Sequence, residues 1–117
     1  MATILCIDHE PAVLKLYGAL LESKGHKALT ASDGLTGIAL TRTHAFNAVV
    51  LDSSIPGLDG IHVAQVLREE HPALPVVIWR GHSDRTSKST TSSADALLCG
   101  FNTVLLTVEK VLKDSMS

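Results

Sequence analysis

The sequence predicts an α/β fold, an open parallel sheet covered by helices on both faces. Three observations carry that expectation. Short apolar runs alternate with amphipathic stretches five times along the 117 residues, the pattern of strands joined by helical crossovers. The run Ala48 to Leu51 is apolar without interruption, as in a strand buried on both sides. Two of the runs end on carboxylates, Asp8 and Asp52, and polar chemistry in such sheets gathers at the carboxyl ends of the strands.

The elements follow in order. Thr3 to Ile7 reads as the first strand, ending at Asp8. Pro11 opens a helix whose apolar stripe is Val13, Leu16, Tyr17, Leu20 and Leu21, and Gly25 ends it. Lys27 to Ala31 forms a second strand, and Asp33-Gly34 turns into a weaker helix ending near His44. After the third strand, Pro56-Gly57 and Asp59-Gly60 make a tight loop. Ile61, Ala64 and Leu67, widened by Val63 and Val66, give the third helix its buried stripe. Pro72 and Pro75 bracket the connection to a fourth strand, Val76 to Trp79. A short fifth strand, Ala96 to Leu98, precedes a helix striped by Val104, Leu105, Val108, Val111 and Leu112. Right-handed crossovers between parallel strands then give a flavodoxin-like (βα)5 doubly wound sheet in the order 2-1-3-4-5. Residues 81–93 hold no large apolar side chain and are dominated by Ser and Thr. The fourth helix is therefore expected to be short or disordered.

Composition narrows the function classes. Hydrophobic residues make up 45% of the chain and charged residues 19%, enough to close one core, and the length fits a single domain over residues 1–117. Aromatics are only 3%, so aliphatic side chains fill that core. A net charge of -2 without a basic stripe argues against direct nucleic-acid binding. No apolar run reaches the roughly 20 residues that span a bilayer, and the start Met-Ala-Thr-Ile-Leu lacks a cationic leader. A cytoplasmic protein without membrane attachment is expected. Cys6 and Cys99 lack metal-binding or redox spacing and read as reduced core thiols.

The segments Ile-Leu-Cys-Ile-Asp8-His9-Glu10-Pro11, Ala-Val-Val-Leu-Asp52, Ile-Pro56-Gly57-Leu-Asp59-Gly60 and Pro75-Val-Val-Ile together resemble the receiver domains of two-component response regulators, nearly end to end. The resemblance implies a phosphorelay signalling domain that is not an enzyme, with Asp52 as phosphoacceptor. It implies a Mg2+ site formed by Asp8, Asp52 and the backbone carbonyl of Ser54. It also implies a histidine kinase or other signalling protein as partner, with a homodimer as a further kind of assembly.

The departures from the family pattern are as informative as the matches. The second acidic position is His9, and a neutral imidazole is a poor ligand for a hard, oxygen-seeking ion. Mg2+ is therefore expected to bind weakly. His9 is read as a solvated loop residue or as a transition-metal ligand beside Asp8 and Asp52. Glu10 is either a substitute carboxylate or a charge at the helix start. The family's hydroxyl after the fourth strand aligns with Arg80, which could pair with Asp52 or extend into solvent. The family's switching aromatic aligns with Leu97, and its lysine is missing at Cys99. Two functional readings follow: a degenerate receiver acting as a protein-interaction module, which these losses favour, and a conventional Mg2+-dependent phosphoacceptor. A phosphohydrolase would need an acid where Ser54 stands. A flavin protein would need a hydroxyl-rich loop where Asp8-His9-Glu10 stands.

Overall fold

In a computed structural model, which describes residues 2–52, 60–79 and 106–113, the elements run β1 (Thr3–Ile7), α1 (Pro11–Ser23), β2 (Lys27–Ala31), α2 (Gly34–Thr43), β3 (Ala48–Asp52), α3 (Gly60–Glu70) and β4 (Val76–Trp79). A helical segment follows at 106–113. The described strands form one parallel sheet in the order β2-β1-β3-β4, as the alternation predicts. The expected fifth strand and fourth helix lie outside the described residues. No described helix is long and apolar enough to cross a membrane.

Because successive strand residues face opposite sides, the two central strands build two cores. Ile4, Cys6, Ala48 and Val50 face one side, where they pack with Val13, Leu14, Tyr17 and Leu21 of α1 and with Val108 and Leu112. Leu5, Ile7, Val49 and Leu51 face the other, against Ile38 of α2 and Val63, Ala64 and Leu67 of α3. Every residue of β3 is buried, as its apolar run predicts. The register sets Ile7 beside Leu51, which brings the carboxyl ends of β1 and β3 together.

Two helices are rotated relative to the stripes read from sequence. In α1 the buried residues are Val13, Leu14, Tyr17 and Leu21, whereas Leu16 and Leu20 are only partly buried. Apolar residues surround more than one face of this helix, so periodicity alone could not select the face against the sheet. In α3 the buried face is Gly60, Val63, Ala64 and Leu67, and Ile61, assigned to the stripe, is 56% exposed. At about 100° per residue, Ile61 lies more than a quarter turn from the centre of that face.

The weak pattern of α2 has a physical cause. Its buried face is Gly34, Gly37, Ile38 and Thr41, so small residues let the helix approach β1 closely. The buried Thr41 hydroxyl is satisfied by donating to the Ile38 carbonyl at 2.7 Å. The start is capped by Asp33, whose side chain accepts from the Thr36 N–H at 2.7 Å. That hydrogen bond, ahead of the one from the Thr36 hydroxyl, holds the Asp33 carboxyl below its ordinary range. On the outer surface Arg42 of α2 grips Glu70 of α3 through two hydrogen bonds, Nε to Oε1 at 3.0 Å and Nη2 to Oε2 at 2.6 Å. Gly25, at φ +85, makes the left-handed turn after α1 that most side chains resist.

At the opposite edge from the paired carboxylates, the start of β1 is fastened on both sides. The Thr3 N–H donates to the Asn47 side chain at 2.8 Å, and Asn47 N–H donates to the Thr3 carbonyl at 2.7 Å. Lys27 N–H donates to the Ala2 carbonyl at 2.8 Å.

A methyl group at Gly37 would collide with Cδ1 of Ile7 and stand 2.9 Å from its Cγ1. Ile7 is 1% exposed and sits among the packed core side chains on that face, so its side chain must shift within the core. Gly37→Ala is therefore expected to lower stability by about 1–3 kcal/mol through overpacking, despite the higher helix propensity of alanine. Urea denaturation of the two proteins measures the difference, and an unchanged or raised midpoint would contradict the close approach of α2 to β1.

Candidate functional site

The strand parity that builds the cores also builds the site. Asp8 continues the Ile4–Cys6 side of β1, and Asp52 continues the Ala48–Val50 side of β3, so both carboxylates turn toward the α1 side of the sheet. Each is completely buried. Because the crossover from β1 runs through α1 and β2 before the chain returns as β3, these two ends meet where the strand order reverses, the usual position of a binding crevice in this type of sheet.

The turn from β1 into α1 holds Asp8 in place. Its N–H donates to the Ala31 carbonyl at 3.1 Å, and its Oδ1 accepts the Glu10 N–H at 2.9 Å. The second contact is an aspartate side chain closing on the backbone two residues ahead. Pro11 then starts the helix at a position where no N–H is needed. Asp-x-Glu-Pro carries a sequence signal for this arrangement, though the reading from sequence assigned Glu10 only a side-chain role.

His9 lies against the carboxylates. Its Nδ1 is 3.5 Å from Oδ2 of Asp52 and 3.8 Å from Oδ1 of Asp8, and its side chain is 35% exposed. Ligand atoms of Asp8, His9 and Asp52 all lie within 4.8 Å of one another. The imidazole is thus partly exposed and at the same time lies beside the acids. The Glu10 carboxylate meets the other edge of the ring, with Oε1 3.7 Å from Nε2.

Two further groups border the acids. Burial, followed by the charge of Asp8, pushes the Cys6 thiol up to about 12. The Tyr17 phenol is pushed strongly upward, first by burial and then by Cys6, Asp8 and Asp52, so it remains protonated. Sequence periodicity placed Tyr17 in the core stripe without revealing that it also feels the charge of the acids.

The family's Mg2+ ion asks for oxygen ligands in near-octahedral geometry. Asp8 and Asp52 satisfy that demand, but the imidazole occupies the neighbouring position with nitrogen. The donor set present among the described residues therefore does not fit Mg2+ well. Ser54, Arg80, Leu97 and Cys99 lie outside the described residues.

Residues 4–99 match the family model described as response regulator receiver domain. Protein PilH of Pseudomonas aeruginosa is 36% identical over 90 residues, covering 75% of this chain and 74% of PilH. The probable transcriptional regulatory protein TcrX of Mycobacterium tuberculosis is 37% identical over 76 residues, 65% of this chain. The alignment covers 32% of TcrX, so the chain spans about a third of that relative. A chain in the crystal structure of histidine kinase ThkA in complex with response regulator protein TrrA superposes with a TM-score of 0.67 at 26% identity, covering 82% of this chain and 80% of that one.

The position of Cys6 yields a test of the buried surroundings. The folded thiol holds its proton up to about 12, against an ordinary value of 9.0. Below pH 9 both states are protonated and the thiol's contribution to stability is fully present. Between pH 9 and about 12 the unfolded chain loses the proton first, so this contribution falls as pH rises. In a Cys99→Ser background, the native thiol should resist alkylation at pH 9 and react once the chain is unfolded in urea. Equal rates in the two states would show that Cys6 is accessible.

Proposed function

Because the chain belongs to the response regulator receiver domain family, a family of signalling modules in two-component phosphorelays, we propose that it is a degenerate receiver. In this reading residues 1–117 form one domain that keeps Asp52 as the phosphoacceptor position and acts chiefly by binding a signalling partner. The observation that carries the reading is the His9 imidazole, 3.5 Å from Oδ2 of Asp52, where the family pattern calls for a second carboxylate. An ion that must neutralise an incoming phosphoryl group is held less firmly when an oxygen ligand is replaced by nitrogen. The sequence substitutions at Arg80, Leu97 and Cys99 act in the same direction, since each removes a group that the family uses to read the phosphorylated state.

The partner of this module is a histidine kinase or another protein of the same signalling class, by analogy with the complex of TrrA and ThkA. The acidic balance of the chain, -2 overall, and the missing basic stripe favour a protein partner over nucleic acid. A conventional phosphoacceptor is the second reading. The full burial and convergence of Asp8 and Asp52 favour it, because that part of the acidic pocket is intact.

Incubation with acetyl phosphate and Mg2+, followed by intact mass measurement, separates the two. The native chain is expected to gain little phosphoryl adduct, His9→Asp to gain at least about 10-fold more, and Asp52→Ala to gain none, as expected for restoring an oxygen ligand. Ready labelling of the native chain that disappears in Asp52→Ala would establish the conventional reading instead.

A further inference from the structure

The replacement at position 9 removes a hard ligand and adds a different one in the same place. We propose that Asp8, His9 and Asp52 form a mixed nitrogen and oxygen site that prefers a borderline transition ion, Zn2+ foremost, over Mg2+. This rests on the reading of the pocket as retained in place but altered in its chemistry.

The spacing is the first argument. The His9 Nδ1 distances of 3.5 and 3.8 Å to the two carboxylate oxygens are longer than good hydrogen bonds. The shorter falls within the spacing of ligands around a shared ion and the longer lies slightly beyond it, with all three ligand atoms within 4.8 Å of one another. With bonds of about 2.0–2.2 Å to nitrogen and oxygen, tetrahedral ligands stand about 3.3–3.6 Å apart. Small side-chain adjustments therefore bring all three donors onto one ion.

Preorganisation is the second argument. Asp8 and Asp52 are fully buried, and Oδ1 of Asp8 is oriented by the Glu10 N–H at 2.9 Å. Binding a divalent ion would offset the charge of two adjacent carboxylates without requiring the pocket to be built anew. The third argument lies on the outer edge of the ring. Metal-binding histidines commonly direct their second nitrogen toward a carboxylate, which fixes the ring and raises its basicity. Oε1 of Glu10 stands 3.7 Å from Nε2, on the side where that partner is needed. Glu10 would thus orient the ligand histidine from outside the site.

Ligand chemistry selects the ion. Imidazole suits Zn2+ and its neighbours in the first transition row, whereas Mg2+ demands oxygen and gives up water reluctantly. Two carboxylates and one imidazole leave a zinc ion with an open position for water or an anion. The site would accordingly take a small exchangeable ligand in addition to the metal.

Calorimetric titration of the metal-stripped full chain with ZnCl2 and with MgCl2 tests the preference, and Co2+ supplies visible bands whose position and intensity change with coordination geometry and ligand type. The native chain is expected to bind one Zn2+ on the order of 100-fold more tightly than Mg2+ and to give visible Co2+ bands. His9→Gln should lose those bands and weaken Zn2+ at least about 10-fold. His9→Asp should weaken Zn2+ and tighten Mg2+, and Asp52→Asn should weaken both ions. Circular dichroism establishes that each variant is folded. His9 is one of 6 histidines, so Zn2+ binding that is unchanged in both His9→Gln and Asp52→Asn would place the ion elsewhere and overturn the proposal. Native affinities for Zn2+ and Mg2+ within a few-fold of each other would overturn it as well. The acetyl phosphate measurement stands apart from these outcomes. Ready Mg2+-dependent labelling with preserved Zn2+ selectivity would remove the degenerate-receiver reading and keep the metal site. Absent labelling without Zn2+ selectivity would do the reverse.

Discussion

Two carboxylates placed side by side in the dry end of a parallel sheet are the constraint around which the site is organised. Neither Asp8 nor Asp52 has any exposed surface, and two like charges in such surroundings raise each other's energy. Their nearness follows directly from the strand order, because β1 and β3 are neighbours and Ile7 is in register with Leu51. A fold that brings the strands together in this way must also bring compensating donors. The Glu10 N–H meets part of that need, and the His9 imidazole stands beside both carboxylates. The start of α1 at Pro11 is consequently part of the pocket's electrostatics as well as an element boundary.

Substitution at one position changes the chemistry of that pocket while leaving its framework in place. The order of the described strands is that expected of a receiver domain, Asp8 and Asp52 stand together at the strand ends, and the family match extends over residues 4–99. Among the described residues, the departure from the expected pattern lies in the loop after β1, where a nitrogen donor faces two oxygen donors. A fold tolerates such a change readily because His9 is partly exposed and makes little demand on core packing. In the proposed reading function is more sensitive than stability at this position, since ion preference depends on donor type at a single atom.

Much of this was legible in the sequence, for identifiable reasons. The unbroken apolar run Ala48 to Leu51 reads as a doubly covered strand, and Asp8 and Asp52 were recognisable as carboxylates at strand ends. The orientation of α1 was not legible, because Leu14, Leu16, Leu20 and Leu21 offer more than one apolar face, and only the approach of the sheet selects Leu14 over Leu16. Ile61 misled for a related reason: Gly60, which contributes nothing to an apolar pattern, occupies the buried position beside it. Local pattern left His9 open between a solvated loop position and one beside the acids, because the choice depends on a contact between segments distant in sequence. Tyr17 carried a clear core signal that concealed its electrostatic contact with the acids.

The fastening of β1 at its start has a mechanical consequence. This strand lies between β2 and β3, parallel to both, and its first residues are tied to Asn47 on one side and Lys27 on the other. A pull applied to the amino terminus along the strand axis would load both ladders in shear, so many hydrogen bonds would have to yield together. Peeling, in which bonds break one at a time, is open to an edge strand but not to this one. The amino-terminal strand therefore anchors the sheet against traction, and a tether attached there would transmit force into the centre of the domain without first unzipping it.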